Sequence, residues 1–210
     1  ETKKTRKVLH GIDHETFHPI PTIERKVNQL ITTASADVPL KGLIYLIRAY
    51  AILLKEFPDL KLLVIGRLRE GPTDQELKKE GIKEKVKFIS DLTGRQIAEL
   101  YAESTIAISP SVYEGFGFPA GEAMSCGIPL ISTNGGSLPE VVGDAGIIVP
   151  HSNPKALKDA IKSLLDSPEK RIEFGNKGRE RVLEKFTWNR AAKELVEVYR
   201  EAIDNADNRP

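Results

Sequence analysis

Leu60-Lys61-Leu62-Leu63-Val64-Ile65-Gly66 is an apolar run of strand length, preceded by Pro58 and stopped by glycine. Its aliphatic residues stand on consecutive positions, so neither face of the strand is left for water. A strand covered on both faces belongs to a parallel sheet between two layers of helices. Similar runs recur outward in both directions, at 27–33, 86–90, 105–109, 129–133 and 146–149. Helical patterns fill the intervals. Residues 41–57 read as a helix ended by Pro58 and apolar nearly all round, which predicts deep burial. Residues 73–80 and 93–103 follow, the second capped by Thr93. Residues 119–125 open with proline and stop before Gly127, and 138–142 form a helical turn. The predicted fold class is α/β, with a doubly wound parallel sheet flanked by helices.

From Asn153 onward the pattern is purely helical, in segments 153–166, 167–185 and about 187–203. The first two open with Asn-Pro and Ser-Pro, which are good caps. Their Lys, Arg and Glu residues read as solvated faces with ion pairs one turn apart. Over the whole chain 31 basic residues meet 30 acidic ones, a formal net charge of +1. That balance gives no electrostatic reason for a nucleic-acid partner. Cys126 is the only cysteine, which excludes an internal disulfide and fits a reducing, cytoplasmic compartment. No apolar run approaches the ~20 residues of a transmembrane segment, and no secretory signal opens the sequence. The chain starts at Glu1 rather than Met, so its left edge is expected to be a cut or a processed boundary.

Ligands of open parallel sheets bind outside the carboxyl ends of the strands, so the chemistry is sought in the strand-to-helix loops. Ser109-Pro110-Ser111-Val112-Tyr113-Glu114-Gly115-Phe116-Gly117-Phe118-Pro119-Ala120-Gly121-Glu122 leaves a strand, passes two glycines and enters a helix. Gly115 and Gly117 permit positive φ or a close ligand approach, and the helix start suits an anion. Glu114 in the loop and Glu122 a turn inside the helix are placed to face one ligand. A carboxylate accepts two hydrogen bonds, which matches the vicinal diol of a ribose or hexose. Cations for a neighbouring phosphate must come from other loops, and Lys41 and Arg67 lie just past strand ends. Lys41 stands at a helix start, where the dipole disfavours a cation unless an anion accompanies it.

These stretches together resemble the retaining glycosyltransferases of the GT-B fold, of the family-4 type known as glycosyl transferases group 1. The resemblance rests on the Glu114-to-Glu122 spacing with its embedded Gly-Phe-Gly-Phe-Pro, on Lys41-Gly42, and on Val8-Leu9-His10-Gly11-Ile12-Asp13-His14-Glu15-Thr16-Phe17-His18-Pro19 as an interdomain linker. Asn134-Gly135-Gly136-Ser137-Leu138-Pro139-Glu140 and Phe186-Thr187-Trp188 add to it. It implies a Rossmann-like domain over 26–185, entered through a linker at 1–25. A helix at 186–210 would then turn back toward an N-terminal acceptor domain outside this sequence. The implied ligand is a nucleoside-diphosphate sugar such as a UDP- or GDP-sugar. Glu114 would be the catalytic residue at the transferred sugar and Glu122 would hold the ribose. Lys41 would bind the phosphates. The backbone of Gly115, Phe116, Gly117 and Phe118 would face sugar and diphosphate, and Gly66, Arg67, Ser90 and Asp91 would surround the base.

No cofactor and no metal are implied, and the half-enzyme alone is expected to be inactive. The full-length enzyme is expected in the cytoplasm or at the inner face of its membrane. Relatives place an arginine five residues before the lysine; here that stretch is Ser35-Ala36-Asp37. Among the remaining residues, His10, His14 and His18 read as linker residues, because Gly11 and Pro19 break any helix that would align them on a metal. Trp188 is expected to anchor the last helix, and Cys126 to be a small buried group. The competing reading is a non-catalytic module that binds a nucleotide or a sugar.

Overall fold

The structure, a computed structural model, describes residues 5–34 and 38–207. The Ser35-Ala36-Asp37 stretch lies outside the described residues. Strands β1 (Gln29–Thr33), β2 (Lys61–Ile65), β3 (Val86–Ile89), β4 (Ile106–Ser109), β5 (Leu130–Thr133) and β6 (Ile147–Val149) form one sheet. Its order is β3-β2-β1-β4-β5-β6 and every pairing is parallel. The order reverses between β1 and β4, which opens a crevice at their carboxyl ends. Helices α1 (Leu43–Leu53), α2 (Pro72–Lys79), α3 (Gly94–Glu103), α4 (Phe118–Ser125), α5 (Leu138–Val142), α6 (Pro154–Leu165), α7 (Pro168–Lys185) and α8 (Trp188–Asp207) complete the fold.

Consecutive strand residues feed opposite cores, as the unbroken apolar runs required. Leu30, Leu62, Val64 and Ile106 pack with α1 and α6 on one face. Ile31, Leu63, Ile65 and Ala107 pack with α3, α4 and α5 on the other. Burying the inner strands β2, β1, β4 and β5 on both faces supplies the apolar transfer that offsets chain entropy. One polar atom is left inside: Thr32 Oγ1 in β1 is buried without a hydrogen-bond partner among the described residues. Thr32→Val should therefore raise stability by about 1 kcal/mol, since the uncompensated hydroxyl is replaced by a methyl of the same shape. Urea unfolding checks this, and a loss of stability would mean that a water satisfies the hydroxyl.

Local signals placed the caps. Thr93 makes a reciprocal capping box with Gln96, and Asn153 and Ser167 accept from the third residue of their helices. Several boundaries differ from expectation: β1 opens at Gln29 rather than at residue 27, and α1 closes at Leu53 rather than at Phe57. The segment 41–57 is a 3-10 turn at Pro39–Lys41 followed by α1, with left-handed Gly42 between them. The last helix runs on to Asp207 rather than ending near residue 203. No described helix is long and apolar enough to cross a membrane.

The entering segment is part of the body rather than a loose tether. Ile12 and Phe17 are buried, and the Ile12 N–H donates to the Phe186 carbonyl at 2.6 Å. Trp188 lies against Gly11, where a β-carbon would come within 2.5 Å of the indole. It anchors the start of α8 on that face only. The rest of its ring is exposed, in line with exposed Leu195, Val196, Tyr199 and Ile203 on the same helix.

Candidate functional site

Three loops meet at the crevice between β1 and β4, and contacts remote in sequence lock them together. After β1 the chain turns through Pro39–Lys41 and reaches α1 by Gly42, at φ 65°. A β-carbon at Gly42 would overlap the Pro110 carbonyl oxygen and lie 2.9 Å from its carbon. The bare backbone therefore lets the loop after β1 sit directly on the loop after β4. Val112 and Tyr113 N–H groups donate to the Leu40 carbonyl at 2.8 and 3.3 Å. This docking delivers Lys41 Nζ to Glu114, at 3.0 Å from Oε1 and 2.9 Å from Oε2. Ser111 Oγ donates to the same carboxylate at 3.0 Å. Lys41, expected to bind the phosphates, here forms an ion pair with Glu114 across the crevice. Glu114 is the more buried partner, with 13% of its side chain exposed against 31% for Lys41.

The loop after β5 clamps the Glu114 segment from the other side. A β-carbon at Gly135 would stand 2.5 Å from Ser111 O and 2.7 Å from Val112 O. One at Gly136 would stand 2.9 Å from Glu114 N. Ser137 donates from N and from Oγ to the Glu114 carbonyl, both at 3.0 Å, and from Oγ to the Phe116 carbonyl at 2.8 Å. Thr133 Oγ1 donates to the Ser111 carbonyl. The sequence singled out Asn134-Gly135-Gly136 but not this clamp, because its partners are backbone atoms of another loop.

Of the two loop glycines, only Gly117 takes positive φ, at 102°, as the N-cap of α4. Gly115 has open space around it, so its role there is to leave room rather than to turn the chain. The Phe116 and Phe118 rings lie 4.8 Å apart and hold the His10 ring at 5.1 and 5.7 Å. His10 thus ties the incoming segment to this loop, a contact that nothing in the linear order of residues points to.

Glu122 lies on α4 beside Asp13 and Tyr101, with no hydrogen bond to its carboxylate among the described residues. Burial pushes its pKa up to about 7, and the Asp13 charge adds to the rise. The charge acting on Glu122 is therefore Asp13 rather than Glu114. A half-buried carboxylate without donors is a strong acceptor for any diol that reaches it. At the other flank Gly66 N–H donates to the Ile89 carbonyl at 2.7 Å, joining the ends of β2 and β3. Arg67 donates from Nε to Ser90 Oγ at 3.2 Å and from Nη2 to both Asp91 oxygens at 2.7 and 2.6 Å. Arg67 holds Asp91 below the usual carboxylate range. The structure thus brings the expected base-side residues together as an exposed pair. Arg67 is committed to Asp91 and does not point its charge at Lys41's neighbourhood.

The chain and its fold are similar to those of known proteins. Residues 15–181 match the family described as Glycosyl transferases group 1. The chain is 39% identical over 197 residues to an MMP alpha-(1->4)-mannosyltransferase of Mycolicibacterium hassiacum, covering 92% of this chain and 47% of that protein. It is 33% identical over 176 residues to a D-inositol 3-phosphate glycosyltransferase of Corynebacterium glutamicum, covering 80% and 42%. The chain therefore spans about half the length of the curated relatives it matches. Among solved structures it is similar to the C-terminal domain of a glycosyl transferase group 1 family protein from Francisella tularensis. That match has a TM-score of 0.72 and 26% identity, over 84% of this chain and 99% of the other. Sucrose-phosphate synthase from Thermosynechococcus elongatus gives a TM-score of 0.82 at 25% identity, over 96% and 53%. An Anabaena protein solved with UDP and glucose shares the fold at 19% identity, with a TM-score of 0.82 over 95% and 58%. With residues 15–181 matching the family and a six-stranded parallel sheet of the same fold, the chain belongs to the glycosyl transferases group 1 family and has the fold of a GT-B C-terminal domain.

Proposed function

We propose that the β1–β4 crevice binds a nucleoside-diphosphate hexose, and that the full-length enzyme transfers the hexose with retention of anomeric configuration. The observation that carries this reading is the Lys41–Glu114 pair spanning the crevice. An arriving diphosphate competes with Glu114 for the Lys41 ammonium. Once displaced, the Glu114 carboxylate is a free acceptor for hydroxyls of the transferred sugar, while Lys41 stabilises charge on the leaving phosphate. Glu122 then receives the ribose diol. Arg67, Ser90 and Asp91 line the base, and the N–H groups at the start of α4 add the positive end of the helix to the phosphate side. The exposed apolar stripe of α8 is the surface that turns back onto the N-terminal acceptor domain.

Calorimetry of this chain against UDP-, GDP- and ADP-hexoses tests the reading, and absence of heat with all three would refute it. No sugar transfer is expected from this half alone, because the acceptor site belongs to the other domain; turnover by the purified half would overturn that assignment.

Lys41→Ala separates a diphosphate site from a general nucleoside pocket. The ammonium gains from phosphate charge and nothing from the base, so the variant should weaken nucleoside diphosphate by roughly 1.5–3 kcal/mol and leave the nucleoside unchanged. Charge pairs at partly exposed sites are screened over ~8 Å at physiological salt, so the wild-type advantage should shrink as salt rises. Equal losses for both ligands would make Lys41 a shaper of the pocket and not a phosphate ligand.

A further inference from the structure

A second pocket, of about 240 Å³, lies away from the crevice, at the end of the sheet where the strands begin. It is walled by Pro19, Ile20 and Pro21 of the entering segment, by Gly127 after α4, and by Arg25 and Arg179. Among the described residues the two arginines are its only charged lining, with no carboxylate in it. Arg179 donates from Nη1 alone, to the His14, Phe17 and Ser125 carbonyls and to Ser125 Oγ, at 2.9–3.4 Å. Its Nε and Nη2 have no acceptor among the described residues. Arg25 has no hydrogen bond or ion pair among them at all. Arg171, outside the lining, donates to the Leu164 and Leu165 carbonyls and interacts with the Glu169 charge. Arg25 is exposed at the pocket's edge, and burial holds the half-buried Arg179 below its ordinary range.

Two guanidiniums thus line one concave surface, with no carboxylate among its lining residues. Other arginines do pair with carboxylates, as Arg48 does with Glu76 and Arg190 with Glu194. Guanidinium forks match phosphate oxygens in geometry as well as charge. The proline and isoleucine wall suits the carbon body of the molecule carrying that phosphate. The volume falls just below the usual ~300–1,000 Å³ of small-molecule sites, which limits the occupant to roughly the size of a phosphorylated sugar.

We propose that this pocket is a second ligand site, which takes a phosphomonoester of a small soluble molecule independently of the nucleotide crevice. The test titrates glucose 6-phosphate, inorganic phosphate and glucose into the full chain with the crevice saturated by UDP, following heat and the thermal midpoint. Glucose 6-phosphate should bind, glucose should not, and sodium chloride of equal ionic strength should not reproduce the effect. Arg25→Ala should weaken binding about tenfold, the loss of one charge-assisted contact. Because Arg25 makes no hydrogen bond, the unliganded variant should melt as the wild type does. Lys41→Ala should leave the affinity unchanged. Equal affinity in wild type and Arg25→Ala, a loss in Lys41→Ala, or no binding at millimolar concentrations would overturn the proposal. Sedimentation with phosphatidic acid vesicles separates the other source of a phosphomonoester. Arg25-dependent pelleting without binding of glucose 6-phosphate would assign the pocket to a lipid headgroup and overturn the soluble ligand.

Discussion

Gly42→Ala is expected to lower stability by about 3 kcal/mol and to abolish nucleotide binding at concentrations that saturate the wild type. The left-handed conformation alone costs a side chain roughly 1–2 kcal/mol, and Gly42 sits at φ 65°. The added methyl must also displace the Pro110 backbone, which it would overlap. Backbone cannot swing aside as a flexible side chain does, and such overpacking costs a further ~1–3 kcal/mol. The functional loss follows from the same contact. If the loops after β1 and β4 separate, the Leu40 carbonyl loses Val112 and Tyr113, and Lys41 no longer reaches Glu114. Urea unfolding with calorimetry of nucleotide binding checks both parts. A variant that is destabilised yet binds normally would show that the loops do not need to touch for the site to form.

Glu122→Gln should do the reverse to stability. An acid whose pKa rises on folding holds its proton more tightly in the native state. Its contribution therefore favours folding below the unfolded value, 4.5, and is lost as pH rises through about 7. Above that range the wild type bears the cost of a desolvated charge that glutamine does not. Each pH unit separating the folded from the unfolded pKa corresponds to ~1.4 kcal/mol. Allowing for partial exposure, the variant should be more stable by about 2–3 kcal/mol at about pH 8.5. The two proteins should converge near pH 4. Nucleotide binding should fall in the variant, because an amide accepts from a ribose diol less strongly than a carboxylate does. Wild-type binding should also release protons near pH 7, since donors from the ribose favour the charged form. Parallel stability curves for both proteins across that pH range would remove the buried-charge argument. Unchanged binding would remove the ribose assignment. A stabilised, weakly binding variant would show that this carboxylate is held in an unfavourable place for a ligand.

The strands, the caps and the order of helices were legible in the linear sequence because their causes are local. Apolar residues on consecutive positions, as in Leu62-Leu63-Val64-Ile65, declare a strand covered on both faces whatever it later pairs with. Thr93, Asn153 and Ser167 satisfy N–H groups within one turn of themselves, so their effect can be read over a few residues. The Glu114-to-Glu122 spacing and the Lys41-Gly42 pair pointed to loops that meet at the crevice, because strand ends are where a parallel sheet leaves room. What the loops do to one another was decided only in three dimensions. Lys41 and Glu114 are 73 positions apart, and their pairing depends on β1 and β4 becoming neighbours at the reversal of strand order. Gly42 under Pro110, Gly136 under Glu114 and His10 against Phe116 depend on the same non-local packing. So does the pKa of Glu122, since its neighbour Asp13 lies on a segment that closes over α4 only when Ile12 joins Phe186. Backbone-to-backbone approach and desolvation leave no periodicity in a sequence, because their partners are chosen by topology and not by spacing along the chain.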